Sequence, residues 1–162
     1  MPQQVADDRI WPTVLAEASH DAAQEPTLAG FLHEAVLRHH SLMSALGSLL
    51  AHKLSNPTMS PVTLVDLAHE AFAGDPYIEE SVVADLQAII SRDPATRGYS
   101  QPLLYFKGFH AVQSFRIAHH FWVTDRQALA LFLQSRISEV FAVDIHPGAR
   151  IGRGVMFDHA TS

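Results

Sequence analysis

Apolar residues recur three and four places apart along most of the chain, and prolines cut that rhythm into segments. Ile10, Val14, Leu15 and Ala18 predict a first amphipathic helix, broken at Glu25-Pro26-Thr27. Leu28, Phe31, Leu32, Ala35 and Val36 resume helical spacing. Ser41 is placed to cap a helix bearing Leu42, Leu46, Leu49 and Leu50. Asn56-Pro57 stops it, because proline disfavours helix at the residue before it. Ser60-Pro61 pairs a capping hydroxyl with proline at the first helical position, ahead of Leu64, Leu67, Ala68, Ala71 and Phe72. Gly74 ends that helix and Asp75-Pro76 opens another, with Ile78, Val82, Leu86, Ile89 and Ile90 as its stripe. Ser91-Arg92-Asp93-Pro94 is its exit. Ser100-Gln101-Pro102 begins one long helical segment through Trp122. Thr124 and Gln127 have capping-box spacing before Leu129, Phe132, Leu133 and Ile137.

The period then changes. From Ile145 the chain reads as three hexads, each opened by a large apolar residue: Ile145, Ile151 and Phe157. The fifth places hold Ala149, Val155 and Thr161. That is the period of a hexapeptide β-helix, one hexad to each side of a triangular coil. The expected fold is therefore mainly α: a multi-helix domain at residues 1–141, then the first, incomplete β-helix coil at 142–162. A single coil cannot bury its own faces, so it needs neighbours.

Composition narrows the class. A chain of 162 residues suits one ordinary domain, or one domain plus a fragment. Its charged fraction, 17%, falls below the roughly 25% of average domains, which suggests surface covered by partner subunits. A net charge of -6 argues against a general nucleic-acid binder and against attraction to anionic membranes. With no cysteine, disulfides, thiolate catalysis and Cys-ligated zinc are excluded. Residues Met1 to Asp8 are polar and acidic, unlike a signal peptide. No apolar run approaches the ~20 residues of a membrane span. The expected compartment is the cytoplasm.

Several side chains could carry chemistry. One full coil returns the chain to the same corner, so Asp144 and His159 could meet there. An aspartate that fixes a histidine tautomer makes a general base for an attacking alcohol; equally, His159 could be a surface residue of the coil. Asp158 points to the other face of its strand, either to hold a substrate ammonium or simply to be solvated. Asp93, before Pro94, could bind a small polar substrate or close a turn. Among the 11 histidines, His39-His40 and His119-His120 are adjacent pairs on different helix sides. His69-Glu70 begins like a zinc-protease helix but has Ala73 where the second histidine belongs. No metal site is expected. Gly152-Arg153-Gly154 lacks the lysine and spacing of a phosphate loop.

Together these residues bear a family likeness. The run Val143-Asp144-Ile145-His146-Pro147-Gly148-Ala149-Arg150-Ile151-Gly152-Arg153-Gly154, then Asp158-His159-Ala160-Thr161, closely resembles serine O-acetyltransferases. So do Arg92-Asp93-Pro94-Ala95, Pro102-Leu103-Leu104-Tyr105, Lys107-Gly108-Phe109-His110-Ala111 and Arg116-Ile117-Ala118-His119. The resemblance implies a left-handed parallel β-helix and acetyl transfer from acetyl-CoA, a co-substrate rather than a tightly bound cofactor, to the L-serine hydroxyl. It implies His159 as base, Asp144 as its partner, and Asp93 and Asp158 as groups holding serine or the feedback inhibitor L-cysteine. It further implies homo-oligomers, trimers or dimers of trimers, and a C-terminal tail that docks into O-acetylserine sulfhydrylase. Family members continue for several coils past the position of Ser162. That further part carries a second histidine, the CoA groove and the tail. The competing expectation is a helical oligomerisation module of that enzyme without activity; a hexapeptide acyltransferase for another hydroxyl or amine is disfavoured by the motifs at Asp93 and Asp158.

Overall fold

The computed structural model describes the backbone of residues 2–155 and the side chains of residues 9–155. Asp158 and His159, and with them Phe157 and Thr161, lie outside the described residues. Among those described, the chain is helical, with helices α1 Pro2–Gln24, α2 Ala29–Leu32, α3 Leu42–Leu54, α4 Pro61–Gly74, α5 Tyr77–Arg92, α6 Ser100–Tyr105, α7 Lys107–Val123 and α8 Gln127–Phe141. Residues 143–155 follow as turns and irregular backbone, and the described residues include no strand.

The periodicity locates most of the core, although Leu28 and Phe31 of the second stripe are exposed. Ile10, Val14 and Ala18 of α1 are buried, as are Ile78, Val82, Leu86 and Ile89 of α5. Ser41 caps α3 by accepting from the Ser44 N–H at 3.1 Å, and Ser60 caps α4 by accepting from the Thr63 N–H at 3.3 Å. Such a cap satisfies a donor that the helix itself leaves unpaired. Ser60→Ala should therefore lower the unfolding free energy by about 1 kcal/mol, measured by urea denaturation.

Three details differ from the expected pattern. First, the segment after Pro26 is not one regular helix. A 3-10 turn at Pro26–Leu28 leads into α2, and a π-helical turn follows at His33–Leu37. Side chains explain the widening. The Glu34 carbonyl accepts from Arg38 Nε at 3.0 Å and lies 3.1 Å from His39 Nε2, so the Arg38 N–H reaches one residue further back, to the His33 carbonyl. Second, the long segment is split at Phe106, whose extended backbone separates α6 from α7. Third, Thr124 does not cap α8. Its hydroxyl donates back to the His120 carbonyl at 2.8 Å, and Asp125 turns the chain at φ 68°.

That turn folds α8 onto α7, the central helix, which is buried from Gly108 through Ala118. Helix α8 stops at Ala142, whose φ of 59° lies in the left-handed region. A methyl side chain disfavours that conformation and glycine does not. Ala142→Gly should raise stability by about 1 kcal/mol, seen as a higher urea midpoint with an unchanged slope. Among the described residues no helix is long and apolar enough to cross a membrane.

Candidate functional site

A buried polar cluster marks where the helices meet the segment that follows them. Asp85 sits on the apolar stripe of α5 and is 0% exposed; Arg116, on the buried face of α7, is 5% exposed. They pair at 2.8 Å through Asp85 Oδ2. Gln113, one turn before Arg116, donates from Nε2 to the same oxygen at 2.7 Å and accepts from Arg116 Nε at 3.1 Å. The remaining capacity of the pair is used on residues 151–155. Arg116 Nη1 donates to the Ile151 carbonyl at 3.2 Å and Nη2 to the Gly152 carbonyl at 2.9 Å. The Val155 N–H donates to Asp85 Oδ1 at 2.8 Å. Buried charges are tolerated when paired and hydrogen-bonded in this way.

Weaker ties flank the cluster. Arg92 Nη1 donates to the Gly154 carbonyl at 3.0 Å. Arg153 pairs with Glu80 at 3.2 Å and lies over the Tyr77 ring. Further back, His119 Nδ1–H donates to the Pro147 carbonyl at 2.7 Å, which assigns its tautomer because a carbonyl only accepts. His146 does the reverse, its Nδ1 accepting from the Gly148 N–H at 2.9 Å while the ring meets Trp122 edge-on. A groove of about 380 Å³ remains between Tyr77, Phe115, His119 and Arg150.

Two of the four expected site residues are described. Asp93 is the residue after α5, and its Oδ1 accepts from the Ala95 N–H at 3.0 Å. That is the turn role that an Asp-Pro pair suggests, and among the described residues Oδ2 has no hydrogen-bond partner. Asp144 is exposed, and its Oδ1 accepts from Gln134 Nε2 of α8 at 2.9 Å. The two carboxylates therefore come from different joints of the fold, one after α5 and one after α8. Asp158 and His159 follow three and four residues after the last anchored group, Val155.

Three of the histidines singled out or buried have structural roles. His110 is 1% exposed, and its Nε2–H donates to the Leu103 carbonyl at 2.7 Å. Burial lowers its pKa to about 4, so the ring is neutral at pH 7. His39 bonds Ser44 Oγ at 2.8 Å, and burial, then the Arg38 charge, lowers its pKa from 6.5. His69 packs edge-on against Phe72, and Glu70 pairs with Arg126. Among the described residues, no three histidines or carboxylates are grouped to hold a metal.

Asp85 and Gln113 carry no expectation from sequence, and Arg116 enters there only as part of a run that bears the family likeness. A signal existed for Asp85. It stands three residues after Val82 and four before Ile89, where the stripe calls for an apolar residue. A charge at such a position implies a buried partner.

An all-helical domain that grips the start of a following segment belongs, on comparison, to the acetyltransferases. Residues 10–114 match the family described as "Serine acetyltransferase, N-terminal", and the chain belongs to that family. It is 49% identical over 152 residues to the serine acetyltransferase of Haemophilus influenzae, covering 94% of this chain and 57% of that protein. The crystal structure of Neisseria gonorrhoeae serine acetyltransferase in complex with serine superposes with a TM-score of 0.92 at 53% identity, over 94% of this chain and 63% of that one. A serine acetyltransferase in complex with CoA gives a TM-score of 0.93 at 48% identity, over 96% of this chain and 66% of that one. The chain thus spans a little over half the length of the curated relative it matches.

Proposed function

We propose that this chain is the amino-terminal part of a serine O-acetyltransferase, transferring acetyl from acetyl-CoA to the L-serine hydroxyl. The carrying observation is identity near one half, sustained across nearly the whole chain, to a serine acetyltransferase. Serine and CoA are bound by solved relatives of the same fold. In this reading residues 1–141 are the helical domain and 142–162 begin a left-handed β-helix, supported by the hexad spacing of Ile145, Ile151 and Phe157. Oligomers form around that β-helix, and L-cysteine competes for the serine site.

The chemistry follows from the residue types. His159, held in one tautomer by Asp144, removes the proton from the serine hydroxyl. The serine oxygen attacks the thioester carbonyl, the C–S bond breaks, and the CoA sulfur leaves with the proton from His159. Asp93, through its unused Oδ2, and Asp158 bind the serine ammonium by charge-assisted hydrogen bonds.

Incubating the chain with acetyl-CoA and L-serine, and following free CoA, tests this reading. Serine-dependent release that disappears in His159→Ala supports it. Release no faster than the His159→Ala control sinks it for this polypeptide and leaves a helical oligomerisation module. Light scattering tests the assembly, since a clean monomer would contradict the oligomer.

A further inference from the structure

We propose that Asp85, Gln113 and Arg116 are positioning residues for the proposed reaction: they clamp residues 151–155 onto the helical domain, tied through Arg92 to the turn that carries Asp93. The inference rests on the catalytic reading above for what is positioned, but the clamp itself stands on geometry.

Three observations carry it. The first is cost. A charged pair at 0% and 5% exposure is an expensive way to fill a helix interface, because apolar residues of similar volume usually serve stability as well or better. Stability of the helices alone does not account for it. The second is direction. Outside α5 and α7, every hydrogen bond of the cluster goes to the main chain of Ile151, Gly152 or Val155. Two acceptors and one donor from a segment about 35 to 70 residues away converge on one buried pair. The third is continuity. Arg92, the residue immediately before Asp93, donates from Nη1 to the Gly154 carbonyl at 3.0 Å, inside the clamped stretch. The proposed serine-binding carboxylate and residues 151–155 are thus tied to one another.

The decisive variant replaces the pair with apolar residues, Asp85→Leu/Arg116→Met. It removes both charges together, so neither is left buried alone. The expected result is a folded helical domain, with the Val155 amide exchanging with solvent at least about tenfold faster while the α3 and α8 amides stay protected. Arg116→Lys provides a milder check. It keeps a positive charge beside Asp85 but loses the planar fork to the Ile151 and Gly152 carbonyls. It should accelerate Val155 exchange selectively, to a smaller degree. If the double variant does not fold, the ratio of Val155 to α8 exchange in Arg116→Lys decides the matter.

Unchanged Val155 exchange in a folded variant would overturn the proposal. So would a uniform loss of protection in Arg116→Lys, which would make the pair a core element only. Acetyl transfer by the unaltered chain is a separate measurement. No transfer with an intact clamp sinks the catalytic reading and leaves the clamp; full transfer with the segment released sinks the clamp and leaves the catalytic reading.

Discussion

Asp85→Ala is expected to lower the unfolding free energy of the chain by about 3–5 kcal/mol. The substitution leaves the Arg116 guanidinium buried at 5% exposure without its counter-ion. It also strips Gln113 Nε2 and the Val155 N–H of their acceptor. The Ile151 and Gly152 carbonyls remain on Arg116, but dipoles do not replace a carboxylate in a site closed to water. Domains of this size are stable by only about 5–15 kcal/mol, so much of the margin should go. Urea unfolding followed by circular dichroism reads the effect. The Asp85→Leu/Arg116→Met double variant should recover most of the loss, because its penalty of an unpaired charge is absent. A single variant as stable as the wild type would show that water reaches Arg116 and that the pair is not sealed.

The second large effect is a loss of stability in acid, centred on His110. The unfolded chain titrates this residue near 6.5, whereas burial lowers its folded pKa to about 4. Between those values the unfolded state binds a proton that the folded state refuses, so stability is full above about pH 6.5 and falls as the pH drops toward 4. The difference amounts to about 3 kcal/mol at the low end of that window. His110→Gln keeps a donor for the Leu103 carbonyl but has nothing to titrate. Its urea midpoint should be less sensitive to pH between 7 and 4.5 than that of the wild type, with carboxylates contributing equally to both. Identical pH profiles would mean that the ring gains a proton without the fold opening.

How much of this was legible beforehand depends on the kind of signal. Caps at Ser41 and Ser60 were readable because one hydroxyl and the next turn suffice to define them. The stripes of α1 and α5 were readable because burial imposes a helical period. The π-helical turn was not, since it follows from Arg38 and His39 side chains competing for the Glu34 carbonyl. Nor was the failure of Thr124 to cap α8, decided by its bond back to His120. The proposed roles of Asp93 in substrate binding and of Asp144 beside the base came from motif likeness, and their local bonds in the fold would suit ordinary turn residues equally well. Asp85 was visible only as a misplaced charge. Its partner could not be named from spacing, because Arg116 lies on another helix, 31 positions away.

The grip on residues 151–155 has a consequence for how this junction can change over time. The buried Asp85–Arg116 pair touches two carbonyls and one amide and asks nothing of the side chains that bear them, while Arg92 takes the Gly154 carbonyl and the Arg153 side chain adds an exposed tie to Glu80 and Tyr77. The buried part of the grip therefore recognises a path, not a sequence. In the proposed reading, β-helix repeats that follow this segment are free to drift, or to be exchanged wholesale by recombination, as long as the backbone enters along the same line. A chimaera that splices this helical domain onto a foreign repeat array should seat correctly at the joint, and proline at position 155, which has no amide hydrogen to offer Asp85, is the substitution such a joint would refuse.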